Sequence, residues 1–387
     1  MALANSLAIE RASADKTMPD VAGGAIMRDA RGNPAGVFKD EAMALIQKAI
    51  PEADEAQLDA ALQRAMDYML SVGVTQIHDV SSLGGWTDLE TFRRARKQGK
   101  LNLRIYSMIP LSNWAKMADY VSDNGRGDDW LHWGALKGFV DGSLGSTTAW
   151  FYSPYYDEPN TSGLLVNDTL QLRQWILQAD SAGLHVAVHA IGDRANDWLL
   201  NVYAEAEALH GPRDRRFRIE HAQHLTRSAI QRFAELGVIP SMQPYHAIDD
   251  GRWAEKRIGP ERIKTTYAFR DLLNAGANLT FGSDWTVAPP SPLEGIYAAV
   301  TRQTLDGRNP NGWVPQQKIS PEEALRCYTV NNAYAAFQET KTGKLKPGMY
   351  ADFVVLSDNI LKIPGEKIRG VNVLRTVVNG KERFVKK

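Results

Sequence analysis

Apolar residues along the chain fall into a repeated unit: a stretch with helical spacing, a glycine, then a short β-branched run. The clearest copy covers residues 54–80. Leu58, Ala61, Leu62, Ala65 and Met69 share one helical face. Asp54 stands before them as an N-cap, and Gln57 three residues on completes a capping box. Gly73 ends the helix, because a residue without Cβ enters the left-handed cap conformation at no steric cost. Residues 74–80 then read as a strand. The unit returns with a helix from Asp168, Gly183 and a strand over 184–190. It returns again with a helix from Thr226, Gly237 and a strand over 238–242, and once more with a helix over 262–275, Gly276 and a strand over 279–281. Further strands are predicted at 102–109, 135–141 and 216–220. Successive strand centres lie roughly 20 to 50 residues apart, the spacing of parallel strands joined by crossover helices. Seven such units predict an α/β fold, a (β/α)₈ barrel of the TIM type rather than an open doubly wound sheet. The first strand of the eight is missing from the pattern, since residues 20–50 offer a short helix but no good strand.

After a helix over 321–337 the pattern changes. Residues 351–356 and 373–384 alternate as strands, and Asn379-Gly380 signals a hairpin turn. The chain therefore divides into a barrel over 1–338 and a small β module over 339–387. The start is unlike either: residues 2–8 are helix-like, with no basic segment followed by a long apolar stretch.

Composition narrows the function classes. Lys+Arg and Asp+Glu are both 45 in 387 residues, so nucleic acid and acidic membrane surfaces are not expected partners. No apolar run approaches the ~18 residues of a membrane span. Cys327 is the single cysteine, which excludes an intrachain disulfide and a Cys-rich metal site. It fits a reducing compartment, and the expected location is the cytoplasm.

In barrels of this type chemistry sits at the C-terminal ends of the strands. The strand over 135–141 carries Lys137 and ends in Asp141. Those over 184–190 and 216–220 lead to His189 and to Glu220-His221, and the last leads to Asp284. Two histidines and an aspartate on one rim suit Zn²⁺ or a similar divalent ion. Lys137 inside an apolar strand is costly unless paired or modified. It reads either as a salt bridge to a carboxylate or as a carboxylated lysine bridging two metals. His78 and His185 read as structural. His132, His210, His224 and His246 lie outside the predicted strand cores, where surface or loop roles are the default, although His246 just past a strand could line the pocket. The aromatic run 150–156 reads equally as a packed rim loop or a substrate lid, and Asp193 as a helix cap.

Four segments carry a resemblance: Gly138-Phe139-Val140-Asp141-Gly142-Ser143-Leu144-Gly145-Ser146, His189-Ala190-Ile191-Gly192-Asp193, Ile219-Glu220-His221-Ala222-Gln223 and Phe281-Gly282-Ser283-Asp284-Trp285. Together they resemble the amidohydrolase superfamily, and within it amidohydrolase family 3, which includes N-substituted formamide deformylase-like enzymes. Residues 343–353 resemble that family's return into a β domain. The resemblance implies a metal-dependent hydrolase cleaving a non-peptide amide or formamide-type C–N bond. It implies Lys137, His189, His221 and Asp284 as ligands of a divalent ion, zinc first, with Asp284 also the general base. Asp141, Trp150, His246 and Trp285 are expected to line the substrate site, with a small amide as substrate.

One departure stands out. The family's first strand ends in a His-x-His pair that supplies two ligands, and no His-x-His occurs here. The expectation is therefore a chain lacking the family's N-terminal portion, with one of two metal sites lost and two strand edges exposed to pairing, including pairing with a second copy. Two rival readings follow: a catalytically impaired remnant of such an enzyme, and a metal-free glycosidase using Glu220 and Asp284.

Overall fold

The computed structural model describes residues 1–80 and 84–387. Residues 20–50, where no strand was expected, carry two. β1 (Ala2–Leu3), β2 (Gly24–Arg28) and β3 (Pro34–Asp40) form an antiparallel sheet in the order β1-β3-β2. Pattern reading misses them because β2 and β3 each bury a single residue, Ile26 and Phe38. Those two pack with Ala14, Ala42 and Ile46 in a separate small core. The helix-like start is in fact β1 followed by the helix Ser6–Arg11, which Asn5 caps by accepting from the Ala8 amide (2.9 Å).

The central sheet follows as expected. β4 (Gln76–Val80), β5 (Arg104–Pro110), β6 (Leu131–Phe139), β7 (His185–Ala190), β8 (Arg218–His221), β9 (Ile239–Met242) and β10 (Thr280–Phe281) are all parallel and adjacent in chain order. They form an incomplete TIM barrel of seven strands. The helix Glu55–Ser71 starts with the predicted Asp54–Gln57 capping box.

Strand alternation builds a polar interior inside an apolar wall. In β7 the outward residues Val186, Val188 and Ala190 enter the main core against the surrounding helices. His185, Ala187 and His189 lie on the opposite face, and Ala187 packs with Tyr106, Met108 and Ala135 inside the barrel. β6 needs an irregularity to keep this phase. Its register with β5 shifts between Tyr106 and Met108, opposite Gly134 at φ +105°, a conformation side chains resist. His132 thereby faces inward as Ala135 does, stacked on Tyr106 (4.0 Å between rings). The expected loop position of His132 is corrected: it belongs to β6.

Two predicted helices are broken. The one over 321–337 splits at Thr329 into Pro321–Tyr328 and Val330–Ala335. The turn presents two amides to the sheet: Asn331 Nδ2 donates to the Leu279 carbonyl and Asn332 Nδ2 to that of Phe281 (2.8 Å each). Thr280 and Gly282 bond towards β9, so these carbonyls lie on the other side of β10, and side chains satisfy its open edge. The one over 262–275 is a 3₁₀ turn, Ile263–Thr265, then a helix, Phe269–Ala275.

β11 (Phe353–Leu356), β12 (Val373–Val378) and β13 (Lys381–Val385) form the C-terminal antiparallel sheet, with the predicted turn at Asn379 and Gly380, both at positive φ. It is tied to the barrel, for Thr376 Oγ1 donates to the Leu70 carbonyl (2.6 Å) at the end of the helix Glu55–Ser71.

Candidate metal centre

The C-terminal mouth of the barrel gathers the polar strand ends. His221 closes β8, His246 lies in the short helix Pro244–Asp250 after β9, and Asp284 follows β10. One ligand atom from each of these three lies within 4.8 Å of the other two. Imidazole and carboxylate donors in that proportion suit a divalent ion of the zinc type. His246 Nε2 donates to Asp284 Oδ2 at 3.2 Å. A proton shared in that way is one a cation would displace, so uptake is coupled to proton release.

Neighbouring groups set the orientation of each donor. His221 Nδ1 donates to Gln243 Oε1 (2.8 Å), while Gln243 Nε2 donates to the Ser241 carbonyl (3.1 Å). That chain fixes the tautomer and leaves Nε2 of His221 as the free donor atom. His189 faces His221 with ring centroids 4.5 Å apart, and its Nε2 donates to the Gly142 carbonyl (2.9 Å). His189 thus stands beside the cluster, and its unprotonated Nδ1 is the atom available to a ligand. The backbone at the site is strained: His221 (φ +76°), Ala222 (φ +44°) and Asp284 (φ +59°) all adopt the left-handed region without being glycine.

Charge is arranged around Asp284. Burial works to raise its pKa, but the hydrogen bond from His246 and the fields of His221, His246 and Lys137 outweigh it and hold the carboxyl below its ordinary range. Burial pushes His221 down to about 4, keeping it neutral and able to ligate. Lys137 is buried, its Nζ 3.4 Å from the Gly138 carbonyl and 4.0 Å from the Phe139 ring centroid. Among the described residues no carboxylate oxygen lies within ion-pair distance of it, although Glu220, Asp284 and Asp141 are near enough to act on its charge. Burial pushes it down to about 8, partly offset by Glu220 and Asp284.

The remaining sequence-predicted residues fall into two groups. Asp141 is fully buried, and its carboxylate accepts from the amides of Trp150 (2.7 Å), Ile191 (3.0 Å) and Gly192 (2.8 Å). It ties three loops together at the rim, and its Oδ1 lies 3.5 Å from His189 Nε2 beside the cluster. Trp150 is held in the same lock, its ring under the Arg194 guanidinium (4.3 Å). Gly192 is needed there, since a Cβ would come within 2.0 Å of the Trp150 carbonyl oxygen. Trp285 is 42% exposed next to Asp284 and meets Tyr68 edge-on at 5.9 Å. Glu220 forms a buried ion pair with Arg218, accepting from its Nη2 on Oε2 (3.0 Å), and that keeps it ionised rather than available as a general acid. The cap reading of Asp193 is corrected: Gly192 is the N-cap of the helix Asp193–His210, and Asp193, its first residue, accepts instead from the Tyr152 amide (3.0 Å).

Sequence reasoning passed over Gln243 and Arg218. Gln243 follows β9 at the same strand-end position as the ligands, and a search restricted to ionisable side chains skips it. Arg218 has no such signal. Its inward direction follows from the parity of β8, and it reaches His78 Nδ1 (2.9 Å) and Ser241 Oγ (2.9 Å) as well as Glu220.

The fold and this cluster define a class, the metal-dependent hydrolases built on a TIM-type barrel. The chain belongs to the amidohydrolase family, whose sequence profile matches residues 1–384. It is 40% identical to the protein LONG AFTER FAR-RED 3 of Arabidopsis thaliana, over 99% of this chain and 67% of that protein. It is 28% identical to the N-substituted formamide deformylase of Arthrobacter pascens, over 98% of this chain and 71% of the enzyme. Among solved structures, an uncharacterized metal-dependent hydrolase of Pyrococcus furiosus superposes with a TM-score of 0.74 at 30% identity, covering 92% of this chain and 70% of the other. No helix of the described residues is long and apolar enough to cross a membrane.

Proposed function

We propose that this protein hydrolyses a non-peptide C–N bond in a small amide, of the N-substituted formamide type, at the mouth formed by His221, His246 and Asp284. The convergence of those three ligand atoms within 4.8 Å carries the reading. The deformylase relative, named for N-substituted formamide, supplies the substrate class. A divalent ion held there, zinc first, would supply Lewis-acid polarisation of the carbonyl and would lower the pKa of water towards ~7. His221, oriented by Gln243 and kept neutral by burial, would be one nitrogen donor to it. His246, whose pKa the Asp284 hydrogen bond raises against burial, would give up its shared proton to become the second. Asp284, held ionised against burial by its hydrogen bond with His246 and by the nearby Lys137, would take the proton from the attacking water and return it to the leaving nitrogen. Lys137, depressed to about 8 and without a carboxylate partner, has the fraction of neutral amine that carbamate formation requires. Trp285 at the mouth offers an apolar face to the nitrogen substituent.

A second reading is favoured by one observation, the absence of any His-x-His pair from the chain. On that reading the cluster binds a metal without turning over. Zinc content and hydrolysis of an N-alkylformamide, measured on the same preparation, separate the two. Turnover that chelation abolishes and zinc restores, lost at least 100-fold in Asp284→Asn, supports hydrolysis. Stoichiometric zinc with no turnover on formamides or simple amides supports the second reading.

A further inference from the structure

A cavity of about 630 Å³ opens at the opposite, N-terminal mouth of the barrel, between the starts of β5, β6 and β7 and the segment 336–341. Its size is that of a small-molecule site. Its floor is aromatic: Tyr106 stacks on His132 and donates or accepts a hydrogen bond with His185 Nδ1 (2.8 Å). Trp133 lines one side. Phe337 lines another, 45% exposed and held at φ +58°, so a strained residue keeps an apolar ring at the rim.

Two polar features mark this mouth. Gln76 Nε2 donates to Gln338 Oε1 (2.7 Å), and Gln338 Nε2 donates to His132 Nδ1 (3.3 Å). That relay assigns the proton of His132 to Nε2, which is buried and faces the Ala336 carbonyl without a well-aligned hydrogen bond, leaving a better-placed acceptor to be supplied by a ligand. The second feature is charge. Asp128 pairs with Arg96 (2.8 Å), Asp129 with Lys341, Asp214 with Arg216 (2.7 Å), which also holds Glu339, and the single Asp180 behind this wall with both Arg213 and Arg215. Arg126 differs from these cations in having no carboxylate. Among the described residues its guanidinium donates only to the Gly183 (2.8 Å) and Gly134 (3.5 Å) carbonyls and makes no ion pair.

We propose that this cavity is a second ligand site, separate from the metal centre, that takes a small aromatic carboxylate. Arg126 supplies a positive charge that no carboxylate of the described residues pairs, His132 Nε2 the buried donor, and Trp133 and Phe337 the faces for the ring. The inference is independent of the chemistry at the other mouth.

Calorimetric titration of the whole chain with 2-naphthoate tests it, with 2-naphthamide as the uncharged counterpart and inorganic phosphate as the anion without a ring. One naphthoate is expected per chain, with the amide and phosphate each at least tenfold weaker. Arg126→Ala, at an exposed position that leaves the core intact, is expected to weaken naphthoate at least tenfold. His132→Phe, which keeps the stack on Tyr106, is expected to do the same. Asp284→Ala is expected to leave it unchanged. No binding of naphthoate at millimolar concentration overturns the proposal. So does phosphate binding as tightly as naphthoate, or an affinity that falls in Asp284→Ala and holds in Arg126→Ala.

Discussion

At the scale of single residues, the protein keeps most of its histidines neutral by burying them. His224 shows the consequence away from the metal centre. It is buried, its Nδ1 bonds with Thr266 Oγ1 (2.8 Å) and its Nε2 with Gln223 (3.0 Å), and burial pushes it down to about 3. The unfolded chain takes up a proton at this histidine near pH ~6.5, and the folded chain does so only near 3. Below ~6.5 the unfolded state therefore binds more protons at this site, and the stability the site allows is lost as pH falls from ~6.5 towards 3. His224→Gln keeps a hydrogen-bonding side chain and removes the titration. Relative to the variant, the wild type should lose up to about 1.4 kcal/mol per pH unit across that window. Urea unfolding of both proteins at pH 7 and pH 4.5 checks it, and a constant difference would disprove the assignment. The same scale separates what pattern could show from what it could not. His221 and Asp284 are visible because an ionisable residue ends an apolar strand. The burial of Asp141 against three loop amides is not visible, because those amides come from distant segments.

At the scale of elements, β10 is a two-residue strand at one edge of the sheet, and its exposed side is closed by side chains rather than by another strand. Each Asn amide satisfies a carbonyl that would otherwise be left partly dry, worth about 1–3 kcal/mol if unmade. The double variant Asn331→Ala/Asn332→Ala should lose roughly 2–4 kcal/mol of stability and loosen β10, so that the Gly282 amide, which donates to the Met242 carbonyl (2.9 Å), exchanges faster relative to the β7 amides. Unchanged exchange at Gly282 would show that the caps are ornamental. The break at Thr329 that makes these caps is illegible in sequence, where residues 321–337 carry one continuous helical period. The hairpin of β12 and β13 is the opposite case, for Asn-Gly specifies the turn locally.

At the scale of the whole molecule, an open barrel needs ties across its interior. Arg218 is the central one. From β8 it reaches Glu220 on its own strand, Ser241 on β9 and His78 on β4, the far edge of the sheet. Both charges are almost fully buried, so removing one strands the other. Arg218→Met should cost about 3–5 kcal/mol, the penalty of an unpaired buried carboxylate. Arg218→Met with Glu220→Gln should recover part of it, and unfolding curves of the two variants decide the point. The repeat of helix, glycine and strand made the parallel sheet legible. The small N-terminal sheet stayed hidden because one buried residue per strand makes no pattern.

The account depends most on His221, His246 and Asp284 holding one divalent ion at the C-terminal mouth. Metal content by mass spectrometry, after zinc loading and gel filtration, tests this directly. The wild type should carry about one zinc per chain, and His221→Ala and His246→Ala should each lose it, as the loss of a ligand from a three-donor site requires. Full zinc occupancy in both variants would contradict the site as described.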